Sequence, residues 1–394
     1  MRNVDQPLLT SNSVNSEPPA DQQPDWPDRG LAAKVRDEVG QLPPLVAPDE
    51  VDALAELLAE VAAGRARVVQ AGDCAEDPAE CTPHHLAPKA DMLWSLADRV
   101  AGATGQPVVP VGRIAGQFAK PRSASHERIG AIDLPVYRGS LVNGPEPDAA
   151  SRCPDPLRML AGYQASAQAM RFLATAGTGT GRRVWTSHEA LILDYESALV
   201  RHDGDGRRYL TSTHWPWLGD RTRHLDGPHV AFLAAVRNPL ACKVGPGTDA
   251  AELVALCDRL DPRRQPGRLT LIARLGADAV ADRLPPLARA VRLAGHPVIW
   301  LCDPMHGNTV RAADGRKTRL VRTVLREVAV FQEVLTSLGV APGGLHLETT
   351  PAAVDECVTD QSQLDRVGLA GYTTLCDPRL NPEQAETVVS AWRS

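Results

Sequence analysis

Apolar positions in this chain come in short blocks rather than in residue-by-residue alternation. Largely apolar runs recur at Val68–Gly72, Val108–Arg113, Leu240–Val244, Leu269–Ala273, Pro297–Cys302, Gly344–Leu347 and Tyr372–Cys376. Runs of this length, without a polar face, predict strands buried on both sides. Between them lie stretches whose apolar residues recur every three or four positions. The first is 48–63, opened by Pro48-Asp49, with Val51, Leu54, Leu57, Leu58 and Val61 on one face. Others are 89–103, 249–259, 277–293, 319–338 with Gly339 as its cap, and 351–358. Pro285-Pro286 predicts a kink or a split in the fourth of these.

Strand followed by helix, with strand ends roughly 30 to 45 residues apart, predicts an α/β fold with a parallel sheet under helices. A doubly wound sheet and a closed (β/α)8 TIM barrel both fit this order. Charged residues at the C-terminal end of nearly every predicted strand, and the lack of a GxGxxG loop, favour the barrel. Residues 26–394 are read as one barrel domain with a short N-terminal extension, and the polar residues 1–25 as a disordered or loosely held tail. The Pro- then Gly/Thr-rich segment 145–182 is expected to be a barrel insertion or a long βα connection.

Composition removes several function classes. At 394 residues and 43% hydrophobic content a large core is available. A net charge of −6 and 4% aromatic residues argue against a nucleic-acid partner. No apolar stretch approaches the roughly 20 residues of a membrane span, so no membrane partner is expected. The N-terminal residues lack the apolar core of a secretory signal. Eight cysteines with no CxxC pair suggest a reducing cytoplasm.

The chemistry sits at the predicted strand ends. Asp303-Pro304-Met305-His306-Gly307-Asn308 and Cys376-Asp377-Pro378-Arg379-Leu380-Asn381 each follow an apolar run, as do Gly72-Asp73-Cys74-Ala75-Glu76 and His346-Leu347-Glu348. A lone Cys or His is more often a core residue than a ligand. Their joint placement makes Cys74, His306, Glu348 and Asp377 a candidate site for a divalent metal. One thiolate, one imidazole and two carboxylates suit Mn, Co, Fe or Zn better than Mg. Arg113, Lys120, Arg122, Arg221, Lys243 and Arg274 lie in Gly/Pro-containing segments near the same ends. Gathered in a barrel mouth they need anions, and phosphate and carboxylate are the natural partners. The residues alone indicate a metal-dependent lyase or transferase acting on phosphorylated small molecules.

These clusters, with Gly112–Gln117, Lys120–Ser123, Tyr137-Arg138-Gly139, Thr186–Leu191, Asp220–Arg223, Arg237-Asn238-Pro239, Lys243–Pro246, Pro266–Thr270, Asp303–Thr309 and Pro342–Glu348, resemble the type II 3-deoxy-D-arabino-heptulosonate 7-phosphate (DAHP) synthases. The resemblance runs from about Trp26 to the C-terminus. It implies a (β/α)8 barrel that condenses phosphoenolpyruvate with erythrose 4-phosphate, the first step of the shikimate pathway. It also implies a divalent ion, Mn2+ or Co2+ before Fe2+ or Zn2+, on Cys74, His306, Glu348 and Asp377. The phosphoenolpyruvate carboxylate is then assigned to Arg113 and Lys120, its phosphate to Arg221, Lys243 and Arg274, and the aldose phosphate to Arg122 and Ser123. Lys120, Lys243 or a metal-bound water is left as the proton shuttle.

Two departures stand out. Asp220 replaces the family's Glu before Arg221, and Ser140 replaces the Asp after Tyr137-Arg138-Gly139. They keep open an acceptor of amino- or imino-aldose phosphate type. A third reading is a non-catalytic regulatory relative, for example a partner of a chorismate mutase. The brief N-terminus and the short 145–182 segment imply weak or absent feedback by aromatic amino acids, as in members serving secondary metabolism. A homo-oligomer, with a dimer favoured, is implied by the family. Cys376 beside Asp377 is expected either as a buried thiol or as a disulfide partner of Cys74.

Overall fold

The computed structural model describes residues 20–177, 179 and 181–393. Eight parallel strands close a barrel: β1 (Arg67–Gly72), β2 (Val108–Arg113), β3 (Trp185–Glu189), β4 (Trp215–Leu218), β5 (Leu240–Val244), β6 (Leu269–Ala273), β7 (Ile299–Cys302) and β8 (Pro342–Glu348). Each pairs with the next, and β8 pairs with β1. The expected TIM barrel is the observed fold.

Every strand divides its residues between two environments with the period of two that a pleated strand imposes. Val69, Ala71, Leu240, Cys242, Val244, Leu269, Leu271, Trp300, Cys302, Leu345 and Leu347 face the helices and join one large core. Val68, Val109, Val111, Trp185, Trp215, Trp217, Ala241, Ile272 and Leu301 form a second core in the lumen. Helix α2 (Pro48–Ala62) closes the N-terminal end of that lumen, because Leu54, Leu58 and Val61 belong to the same cluster. The lower lumen is therefore packed solid, and only the C-terminal mouth is open to chemistry.

Further helices follow strands: α3 (Pro83–Thr104), α5 (Leu193–Ala198), α6 (Pro228–Ala234), α7 (Ala250–Leu260), α8 (Val280–Leu293) and α9 (Val321–Ser337). Helix α4 (Leu157–Ala176) lies between β2 and β3, so 145–182 is part of a long βα connection. α1 (Arg29–Gln41) packs against α4, and α10 (Pro382–Ser390) against α3 and α9. Hairpins at 126–135 and 309–319 stand in the connections that leave β2 and β7.

Several expectations are corrected. Tyr372–Cys376 is not a strand: the barrel is already closed by β8, and the amides of Thr373 and Thr374 go to the Glu356 carboxylate instead of a ladder. Residues 351–358 are not a helix, since Glu356 is turned inward as the acceptor of those same bonds. Helix α8 is neither split nor ended at Pro285-Pro286; it runs on to Leu293. Strands β3 and β4 were not foreseen, because Thr186, Ser187, His188 and Glu189 break any apolar run and Pro216 interrupts the next. Most of the expected tail, 1–19, lies outside the described residues. Residues 20–25 are tied in place: Gln23 donates to the Leu191 carbonyl at 2.8 Å, and Gln22 accepts from the Arg122 amide at 2.9 Å.

Candidate active site

Except in β4, whose lumen residues are Trp215 and Trp217, the lumen set of the strands becomes polar at or just past the C-terminal end. Gln70, Arg113, Ser187, Glu189, Lys243, His346 and Glu348 share the parity of the lumen core, and Arg274 and Asp303 continue it one residue past β6 and β7. Gly72 stands opposite both Glu348 of β8 and Arg113 of β2. Its φ is 147°, and a Cβ there would lie 2.7 Å from the Arg113 carbonyl oxygen, so glycine is required for the close approach that brings these strand ends together.

Donor atoms of Cys74, Glu348 and Asp377 all lie within 4.8 Å of one another. Cys74 Sγ is 3.5 Å from Asp377 Oδ2 and accepts the Asp377 amide at 3.2 Å. His306 adjoins the group: its Nε2 is 3.0 Å from Glu348 Oε1, while its Nδ1 faces Asp303 at 2.8 Å. That second contact fixes the ring, as carboxylates do for metal-bound imidazoles. The structure thus gathers three of the four expected ligands tightly and sets the fourth beside Glu348. Lys120 Nζ stands 2.8 Å from Cys74 Sγ, 2.8 Å from Asp377 Oδ2 and 3.7 Å from Glu348 Oε1, so these donors already draw a positive charge. Burial raises the Cys74 thiol well above its usual range, and a thiolate there needs a cation beside it. The donor set fits a divalent ion. Cys376 turns its thiol to Cys74, which lowers its pKa through their hydrogen bond, and both are free thiols.

Glu348 is the electrostatic centre. Burial opposes its charge, but His306, Arg319, Lys120 and Arg113 hold its pKa well below the usual carboxylate range. Arg319 Nη1 lies 2.7 Å from Oε2, and Arg113 Nη2 donates to Oε1 at 3.0 Å. Arg113 Nη1 also donates to His346 Nε2 at 2.6 Å; His346 Nδ1 then faces Gln70 Oε1 at 2.6 Å, and Gln70 donates to Ser187 at 2.9 Å. This chain keeps His346 neutral: burial, Lys243 and Arg113 lower its pKa well below the usual value.

Beside the donors opens a cleft of about 280 Å³. Every residue expected to bind substrate, Arg113, Lys120, Arg122, Ser123, Asp220, Arg221, Lys243 and Arg274, lines it, together with His306. Asp220 accepts from Arg274 at 2.6 Å and from Arg223 at 3.1 Å, which aims the Arg274 guanidinium. Arg221 donates to Ser123 Oγ at 2.8 Å and has no carboxylate partner among the described residues. Lys243 pairs with Asp303, yet burial brings its pKa down to about 8. Ser140 bonds to the Tyr137 hydroxyl at 2.9 Å and does not line the cleft, so its departure from the family pattern is one step removed from substrate.

Sequence reasoning assigned no role to Glu189, Lys317, Arg319, His346 or Glu356. Lys317 reaches Asp377 Oδ1 at 2.7 Å from the 309–319 hairpin, a position no strand pattern reveals. Glu189 lines the cleft, with one carboxylate oxygen buried and unpartnered. Burial raises the pKa of Glu189, and likewise that of Glu327, to about 7. Both carboxyls then ionise near 4.5 in the unfolded chain but near 7 in the fold. The folded state holds the extra protons, so this contribution is complete below the lower value and is lost as pH rises through the upper one, by roughly 3 kcal/mol per group. The urea midpoint of metal-free protein is expected to fall between about pH 5 and pH 7, and to fall less in Glu327→Gln. Equal slopes in the two proteins would refute this.

The fold and its mouth define a class: a (β/α)8 barrel that sets a cluster of thiol, imidazole and carboxylate donors against a cationic cleft. A family model described as the class-II DAHP synthetase family matches residues 10–182 and 177–390. The chain is 52% identical to a probable phospho-2-dehydro-3-deoxyheptonate aldolase of Pseudomonas fluorescens, over 95% of this chain and 94% of that one. It is 40% identical to the phospho-2-dehydro-3-deoxyheptonate aldolases of Mycolicibacterium smegmatis and Streptomyces coelicolor, over 93% of this chain and 90% and 93% of theirs. The chain belongs to the class-II DAHP synthetase family and is an enzyme of that kind. No helix among the described residues is long and apolar enough to cross a membrane.

Proposed function

We propose that this enzyme condenses phosphoenolpyruvate with erythrose 4-phosphate, adds water and releases inorganic phosphate to give DAHP. The observation that carries the reading is the contact of the two halves of the site: Lys120 lines the cationic cleft and touches the donor atoms of Cys74 and Asp377. Arg221, Lys243 and Arg274 take the phosphate of phosphoenolpyruvate, and Arg113 and Lys120 its carboxylate. Arg122 and Ser123 take the aldose phosphate at the exposed end of the cleft. A divalent ion on Cys74, His306, Glu348 and Asp377, Mn2+ or Co2+ before Fe2+ or Zn2+, supplies Lewis-acid polarisation of a carbonyl oxygen.

Environment separates the two lysines that sequence left equal. Burial works against the Lys120 charge, but Asp377, Cys74 and Glu348 raise its pKa well above the usual value, so Nζ stays a donor. Lys243, at about 8, can release and regain a proton near neutral pH and is the better shuttle.

The test is phosphate release from phosphoenolpyruvate and erythrose 4-phosphate across a metal series. Activity with Mn2+ or Co2+, abolished by a chelator and restored by metal, is expected; no release with this acceptor would overturn the proposed reaction. Higher kcat/KM with an amino-aldose phosphate acceptor would overturn the choice of substrate. Phe, Tyr and Trp, alone and together, are expected to leave the rate within about twofold, because 145–182 holds α4 and little else; strong inhibition would refute this.

A further inference from the structure

Asp377 is the one expected ligand that no strand end carries. It sits in 373–379, which is neither helix nor strand, so something other than the barrel must fix it. Glu356 does so from beneath. Its carboxylate is fully buried and lies outside the cleft. Oε1 accepts the amides of Thr373 at 3.0 Å and Thr374 at 2.8 Å, and Oε2 accepts the amide of Arg379 at 2.7 Å. Both ends of the segment around Cys376 and Asp377 are therefore closed on one side chain. The Arg379 guanidinium adds bonds to the same carboxylate, from Nε at 3.1 Å and Nη2 at 2.8 Å. Its Nη1 donates to Asp73 Oδ1 at 2.6 Å, and Asp73 immediately precedes Cys74. Lys89 grips the other oxygen of Asp73 at 2.7 Å.

We propose that Glu356 is a positioning residue: through Arg379 and Asp73 it sets the distance between Asp377 and Cys74 and so preforms the donor group for a divalent ion. The inference rests on the metal reading above. Glu356 supplies no donor atom itself, so its influence is that of a supporting residue, on the order of 10- to 100-fold in metal affinity.

The experiment titrates the metal-free, full-length protein with Co2+ and follows the thiolate-to-cobalt charge-transfer band, which reports Cys74 ligation without any turnover. Glu356→Gln, folded by far-ultraviolet circular dichroism, is expected to bind Co2+ about 10- to 100-fold more weakly, and Glu356→Asp to fall between it and wild type. Wild-type affinity in a folded Glu356→Gln overturns the proposal. No band in the wild-type protein overturns the metal reading instead. Amide exchange on the wild type needs no variant to fold: the Thr374 and Arg379 amides are expected to exchange slowly although they lie in irregular backbone, and exchange at the rate of an open loop overturns the proposal.

Discussion

Glu348→Gln is expected to lower kcat/KM for phosphate release by about a thousandfold or more and to destabilise the protein at the same time. The first effect follows from removing a charged donor between Cys74, Asp377 and His306, where charge stabilisation worth several kcal/mol is at stake. The second follows from what remains. Arg319 and Arg113 are buried and Lys120 nearly so, and all three point at this carboxylate. With a neutral amide in its place they lose their common counter-charge, and breaking a buried ion pair in this way costs roughly 3–5 kcal/mol. The pH dependence carries the same signature. The folded pKa of Glu348 is depressed, so its contribution is present above the ordinary carboxylate range and lost as pH falls through its folded value. The variant is therefore expected to show a smaller loss of stability on acidification than wild type. Urea unfolding across the acid range and a steady-state assay test both parts. A variant with normal stability would show that the three cations are satisfied elsewhere.

Lys243→Met carries the next largest effect. Lys243 is buried, faces Asp303 and lines the cleft. On the assignment proposed above, its removal takes one cation from the phosphate position, and it leaves Asp303 facing the His306 imidazole without the ammonium. kcat/KM is expected to fall by about a hundred- to ten-thousandfold, the range for a group that both holds an anion and moves a proton. Arginine is not expected to rescue it, because a planar fork cannot replace a compact ammonium in so enclosed a place. Burial brings the Lys243 pKa to about 8, so the charge proposed to grip phosphate is lost above that value. The wild-type profile of kcat/KM is expected to decline on the alkaline side with an apparent pKa near 8, and that limb should vanish in Lys243→Met. An unchanged limb would assign the titration to another group.

How much of this was legible in the sequence depended on which face of a strand carried the signal. Strands β5 and β6 send Leu240, Cys242, Leu269 and Leu271 to the helices, and each places one polar residue, Lys243 or Thr270, in the lumen, too few to break an apolar run, so they read as buried strands. Strand β3 sends Ser187 and Glu189 inward and is still fully buried, and no hydrophobic pattern marks such a segment. The opposite error arose at Tyr372–Cys376, where local composition imitates a strand but the closed barrel leaves no partner for it. The site was more legible than the architecture around it, because ligands and cations are recognised by type and all of those proposed reached one mouth. Its supports were not. Glu356 lay within an expected helix, and Arg319 at the start of another. Their roles depend on partners at 23 and 29 residues' remove, which local periodicity does not encode.

The filled lower lumen has a kinetic consequence. With Trp185, Trp215, Ile272 and Leu301 filling the lumen from below and α2 packed across the base, the mouth is the doorway that the described residues leave open. Depth then becomes sequence in time. On the substrate positions proposed above, a guest at buried Lys243 sits behind one at exposed Ser123 and Arg221, so the inner guest is expected to arrive first and to leave only once the vestibule has cleared.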